Sequence, residues 1–155
     1  MSIDRLDAAL LRLLHDEPRV GVLEASRRLG VARGTVQARL DRLERDGVIV
    51  GRSPTLDAAA LGFPVTAFAT LEIAQGRGHA PVIEHLAAIP EVLEAHTTTG
   101  AGDLLVRVVA RTHADLQRVI DEIVDGRHVL RSATAIALET PIPLRRIQLV
   151  PPTRD

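Results

Sequence analysis

The chain has 155 residues, a formal net charge of -1 and 46% hydrophobic residues, ample for one large core or two small ones. Cysteine is absent, which excludes disulfides, thiolate metal sites and cysteine nucleophiles and fits a reducing cytoplasm. No apolar run approaches the roughly eighteen residues of a membrane span, and the start MSIDRLDAALL is acidic rather than basic, so neither export nor membrane insertion is expected. The histidines His15, His79, His85, His96, His113 and His128 lack any i, i+4 pair, so no metal site and no cofactor is expected.

Charge is unevenly placed. Residues 19 to 52 hold eight arginines (19, 27, 28, 33, 39, 42, 45 and 52) against four acids (24, 41, 44 and 46), while the remainder is acidic. A basic segment in an otherwise acidic chain points to polyanion contact by one part of the molecule.

In chain order, Ile3, Leu6, Leu10, Leu13 and Leu14 mark a first amphipathic helix, with Ser2 or Asp4 placed to cap it and Pro18 to end it. Val22, Ala25, Ser26 and Leu29 mark a second, and Val36, Leu40 and Leu43 a third. Gly30 between them supplies the tight joint of a helix-turn-helix, and small Ser26 permits close approach of the two helices. With Val36, Leu40 and Leu43 inward, the other side of the third helix carries Arg33, Gly34, Thr35, Gln37, Ala38, Arg39, Arg42 and Arg45. Small residues beside long donors suit a helix entering a major groove: Gly34 and Ala38 allow approach, Thr35 and Gln37 reach base edges, and arginines reach guanine or phosphate. The same pattern also describes the solvated face of an ordinary three-helix core. The β-branched run Val48-Ile49-Val50 predicts a short wing strand, with Arg52 beside it near the phosphate backbone.

Residues 53–64, rich in turn formers, are expected to link a head spanning 1–52 to a second domain. There the period changes. Strands are predicted at Val65 to Ala74, Val92 to Thr99, Asp103 to Ala110 and Val129 to Leu138, with helices at Ala80 to Ala88 and Ala114 to Val124. The order βαββαβ is that of a ferredoxin-like domain over 65–140, so the fold class is α+β. One face of its sheet lacks a helix; either Val106, Val108 and Ala110 or Leu105, Arg107 and Val109 point there, and a partner subunit is the expected cover. Residues 141–155 are too proline-rich for a helix and should be extended, with a possible crossing to a neighbouring subunit.

The loop after the second strand has its own chemistry. Backbone N–H groups around Thr99, Gly100, Ala101 and Gly102 can face an anion while Asp103 offers a carboxylate to an ammonium, a pairing that suits a zwitterion. His96, Thr98 and Thr134 are further candidate contacts, on strands read as neighbours. Alternatively, Asp103 simply caps its own hairpin. RNA binding on the sheet is not expected, because such sheets stack bases on aromatic rings and this chain has only Phe63 and Phe68. Glu72, His96, Asp103 and Ser132 lack the spacing of an acid-base or nucleophile set, so catalysis is not expected either.

Several stretches resemble the Lrp/AsnC (feast/famine) family of transcriptional regulators. Ile3-Asp4-Arg5-Leu6-Asp7 with Leu10-Leu11 and Leu14 is similar to its opening helix; Leu29-Gly30-Val31, Thr35-Val36, Arg39-Leu40, Leu43 and Asp46-Gly47-Val48-Ile49 to its recognition helix and wing. Pro90-Glu91-Val92 and the run from Thr99 to Val108, a G-x-x-D followed by an apolar strand, resemble its effector domain. The resemblance implies a winged helix-turn-helix on double-stranded DNA, a small effector, usually an amino acid, acting at residues 96, 98–103 and 134, and a homodimer that assembles into tetramers or octamers, without catalysis. This sequence departs from the family at Ala32, where a capping serine is usual, at Ala25-Ser26 in place of a leucine-alanine pair, and at Arg52 in place of a wing tyrosine. The alternatives are an architectural protein that coats DNA through phosphate contacts, or an enzyme domain that binds a small molecule.

Overall fold

The computed structural model describes residues 2–51, 53–74, 79–125 and 128–152. The chain forms two compact units, Met1–Pro54 together with Ile142–Asp155, and Thr55–Pro141. Among the described residues no helix is long and apolar enough to cross a membrane.

The first unit contains α1 (Arg5–Asp16), α2 (Val22–Leu29) and α3 (Arg33–Arg45). α1 starts at a reciprocal capping box in which Asp4 accepts from the Asp7 N–H at 2.9 Å and Asp7 accepts from the Asp4 N–H at 3.1 Å. α2 ends on Gly30, whose φ of 64° is the left-handed conformation that a glycine adopts without strain. Its neighbour Val31 then donates back to the Ser26 carbonyl at 3.1 Å, closing the turn into α3. Buried Ser26 satisfies its hydroxyl on the Leu23 carbonyl at 2.8 Å, so a polar residue can sit at this close contact. Leu10, Ala25, Val36, Leu40 and Leu43 form the core, with Ile3, Leu13, Leu14, Val20 and Ile49 packed around it.

Asp7 is fully buried, and its carboxylate is gripped from α3 by Arg39 (3.1 Å) and Arg42; Arg39 also reaches Asp4. A buried carboxylate is tolerable only when paired, and here two guanidiniums from another helix pair it. The grip fixes the rotation of α3 against α1.

The strand expected at Val48–Val50 is not formed. Among the described residues no strand lies alongside this run, so its β-branched residues have no ladder to join; Ile49 turns into the core and Val50 is 90% exposed. Within the C-terminal segment, expected to be extended, the described residues form one short 3₁₀ turn at Ile147–Leu149, and residues 153–155 lie outside the described residues.

The second unit contains β1 (Val65–Ile73), α4 (Ala80–Ala87), β2 (Val92–Thr97), β3 (Leu104–Ala110), α5 (His113–Asp125) and β4 (Val129–Ala137). All pairings are antiparallel, in the order β2-β3-β1-β4 that a βαββαβ chain adopts in the ferredoxin-like fold. Alternation in β1 sends Ala67, Ala69, Leu71 and Ile73 toward the helices, where Val82, Leu86, Leu116, Val119 and Ile123 cover them together with Val106, Val108 and Ala110 of β3. Leu105 and Arg107 therefore belong to the other face, opposite Thr70 and Phe68. Residues 55–64, expected as a linker, are grouped with this unit: Asp57 caps a turn through the Ala60 N–H at 3.0 Å, and the Arg111 guanidinium lies 5.1 Å from the Phe63 ring centre.

Two outcomes follow from the Asp4–Asp7 cluster. Asp7→Ala should cost about 3 kcal/mol in chemical denaturation, the low end for breaking a buried pair because both guanidiniums keep some contact with water. The Asp4 carboxyl is lowered from 3.8 to about 2, first by the Asp7 backbone N–H and next by Arg39. A depressed folded-state pKa stabilises above the unfolded value and loses that contribution as pH falls toward the folded one. The Tm advantage of the parent chain over Asp4→Asn should therefore shrink on acidification from pH 3.8 to about 2, as read by calorimetry.

Candidate nucleic-acid interface and ligand loop

The inner side of α3 is set by Val36, Leu40 and Leu43, all buried. On the outer side Arg33, Gly34, Thr35, Gln37, Ala38 and Arg45 are exposed. A Cβ added at Gly34 would meet nothing within 4 Å, so this part of the helix surface is open for close approach by a rigid body. Arg33 and Arg45 have no acidic partner among the described residues. Gln37 donates its amide to Asp41 one turn later at 2.7 Å, which leaves its carbonyl and one N–H available. Ala32 precedes the helix without a side-chain cap, as its residue type dictates.

Two of the arginines expected on this surface belong elsewhere. Arg39 and Arg42 turn toward α1, with side chains 29% and 34% exposed, and are held by Asp4 and Asp7. The hydrogen bonds that Arg39 donates to those carboxylates raise its pKa. Each of the two arginines spends part of its guanidinium inside the head, which leaves fewer N–H groups for a partner outside it. The sequence contained a signal for this, Asp4 and Asp7 three apart on one helix and Arg39 and Arg42 three apart on another. Arg52, the remaining expected contact, lies outside the described residues.

The loop from Thr98 to Asp103 is built by short-range bonds. The Thr98 hydroxyl donates to the Gly102 carbonyl and the Thr98 N–H to the Asp103 carbonyl, both at 3.0 Å. Gly100 has φ 124°, open only to glycine without strain. Gly102 is required for a different reason: a Cβ there would stand 2.3 Å from the Thr70 side chain and 3.2 Å from the Leu71 carbonyl. Asp103 donates its N–H to Leu71 at 2.8 Å and accepts the Ile73 N–H on Oδ2 at 2.8 Å. That N–H lies beyond the last β1–β3 pair, Leu71 with Leu104, so no backbone carbonyl of the ladder claims it. Asp103 thus serves its own sheet through one oxygen, bonding β1 rather than its own hairpin, while Thr99, Gly100 and Ala101 stay exposed.

The further contacts do not all converge. His96 pairs with Leu105 on edge strand β2 and lies 3.6 Å from Glu94. Thr134 sits opposite Ala69 on β4, the other edge of the sheet. The expectation that these strands are neighbours is corrected: β3 and β1 separate them, so within one chain Thr134 is not brought to the loop. Among the described residues no group of three histidines or carboxylates is arranged to hold a metal ion.

Comparison with known proteins accounts for both units. Residues 3–50 match the winged helix-turn-helix DNA-binding family, and residues 66–147 the Lrp/AsnC ligand binding domain. The chain is 29% identical over 144 residues to the regulatory protein AsnC of Haemophilus influenzae, covering 91% of this chain and 95% of that one. Among solved structures, that of E. coli AsnC superposes with a TM-score of 0.87 at 26% identity, covering 95% of this chain and 99% of that one. The feast or famine regulatory protein from M. tuberculosis, complexed with L-methionine, gives 0.83 at 26% identity over 94% and 98%. A helix-turn-helix head and a ferredoxin-like ligand-binding domain, each matched in its own right and in this order along the chain, make this protein a member of the Lrp/AsnC family of transcriptional regulators.

Proposed function

We propose that this regulator reads a DNA major groove with the exposed strip of α3 and that an amino acid, acting at the loop from Thr98 to Asp103, changes its assembly on DNA. The observation that carries the DNA half is the division of labour on α3: two arginines are consumed internally, while Arg33 and Arg45 flank an open patch of Gly34, Thr35, Gln37 and Ala38. Arginines at the two ends of the helix suit phosphates on either side of a groove, and the small residues between them let the helix sink far enough for Thr35 and Gln37 to meet base edges.

The effector half rests on the loop chemistry and on the L-methionine bound by the M. tuberculosis relative. Exposed N–H groups of residues 99–101 are suited to an α-carboxylate, and the second oxygen of Asp103 to an α-ammonium. One chain offers only this half-shell, because Thr134 stands at the opposite sheet edge. A second copy supplies the rest when helix-free sheet faces bearing Phe68, Leu105 and Arg107 pair, giving a homodimer that builds tetramers or octamers. Ligand binding between copies then favours one assembly and resets the spacing of the reading helices.

Arg33→Ala and Arg45→Ala should each weaken duplex binding and flatten the slope of log affinity against log salt by about 0.9 per lost phosphate contact. Arg42→Ala should leave that slope unchanged and appear instead as lost thermal stability. Equal slope changes in all three variants would mean that the wrong face had been chosen. Gln37→Ala should broaden sequence preference at unchanged slope, as read by footprinting on the DNA upstream of the protein's own gene. Sedimentation of the purified protein across the amino acids should reveal one or a few that shift its mass; unchanged mass and unchanged operator affinity with every one would remove the effector reading.

A further inference from the structure

The proline-rich C-terminal segment is the part of the chain that DNA reading and effector binding leave unused, yet it is docked. After β4 the chain leaves the ligand-binding unit at Pro141 and residues 142 onward are grouped with the head, so the two units are joined twice, at Pro54–Thr55 and at Pro141–Ile142. The 3₁₀ turn Ile147–Leu149 packs on α1. From that helix Arg12 donates Nη2 to the Val150 carbonyl at 2.7 Å and to the Pro151 carbonyl at 3.3 Å, bridging 138 and 139 residues of sequence. Pro151 and Pro152 line a recess with Ile3, Asp4, Arg5 and Ala8, the first turns of α1.

The chemistry of the contact explains the prolines. Proline has no N–H and cannot continue a helix, so the 3₁₀ turn ends before Pro151 and the Val150 and Pro151 carbonyls are left to a donor outside the segment. A guanidinium presents several N–H groups in one plane and can serve two successive carbonyls. The turns of α1 that the prolines cover are those whose Asp4 and Asp7 hold Arg39 and Arg42 of α3.

We propose that residues 142–152 are an intramolecular latch: held by Arg12, the segment that leaves the ligand-binding domain braces the start of α1 and, through Asp4 and Asp7, the seating of α3. The domain that binds ligand thereby has a mechanical hold on the reading helix in addition to the chain at Pro54. The latch itself is independent of whether α3 reads DNA; only its effect on affinity rests on that reading.

Amide hydrogen exchange without DNA tests it in four proteins: the parent, Arg12→Ala, a chain ended after Pro141, and the two changes combined. Each single change should speed exchange in both α1 and α3 by about tenfold, and the combination should be no worse than either, because both remove one contact. Unchanged exchange in α1, faster exchange in α1 alone, or fully additive effects would each overturn the latch. Should the shortened chain fail to fold, Arg12→Ala against Arg12→Lys decides: lysine should recover part of the protection, and equal loss in both, or loss in neither, rejects it. Duplex affinity at fixed salt should fall several-fold in the single variants and no further in the combination. A further loss there would mean that Arg12 touches phosphate instead, whereas a parent that ignores DNA while its exchange pattern holds removes only the DNA reading.

Discussion

A buried carboxylate decides how the head is put together. Asp7 is tolerable in an apolar core only when it is paired, and among the described residues α3 is the helix that pairs it, through Arg39 and Arg42. Apolar packing alone would tolerate some rotation of α3, since Val36, Leu40 and Leu43 form a broad stripe. A doubly gripped carboxylate would not, because hydrogen bonds to a planar guanidinium are directional. Once α3 is seated this way, Gly34, Thr35, Gln37 and Ala38 have nowhere to go but outward. The exposed strip of α3 is what the ion cluster leaves over.

The ligand-binding domain is constrained in the same manner by backbone rather than charge. Gly102 passes so close to Thr70 and Leu71 that no side chain fits, and Asp103 then reaches the Ile73 N–H just beyond the end of the β1–β3 ladder. Together these contacts fix the shape of the loop from within one chain. The carboxylate read in the sequence as a ligand group is a strut, which occupies one of its two oxygens.

Much of this was legible along the chain because it depends on local spacing. The three helices of the head follow from apolar residues at i, i+3 and i+4 and from Gly30, and the βαββαβ order follows from a change of period after residue 64. Which arginines face out was not legible from α3 by itself, because a wheel drawn on that helix ranks Arg39 and Arg42 beside Arg45. Their partners lie 32 and 35 residues away on another helix, and only packing α1 against α3 brings them together.

The same distinction accounts for the other differences. Val48, Ile49 and Val50 have strand propensity, but a strand exists only where a second one offers its hydrogen bonds, and no described residue does so. Thr134 was misplaced because chain order in a split βαββαβ domain differs from sheet order, which sends β2 and β4 to opposite edges. By itself, the sequence determined the elements, their order and the family, since each is written in short-range periodicity and turn chemistry. Tertiary structure alone decided which charges are consumed inside, which loop atoms remain open and where the C-terminal segment lies, since each depends on groups far apart in the chain meeting in a core that excludes water.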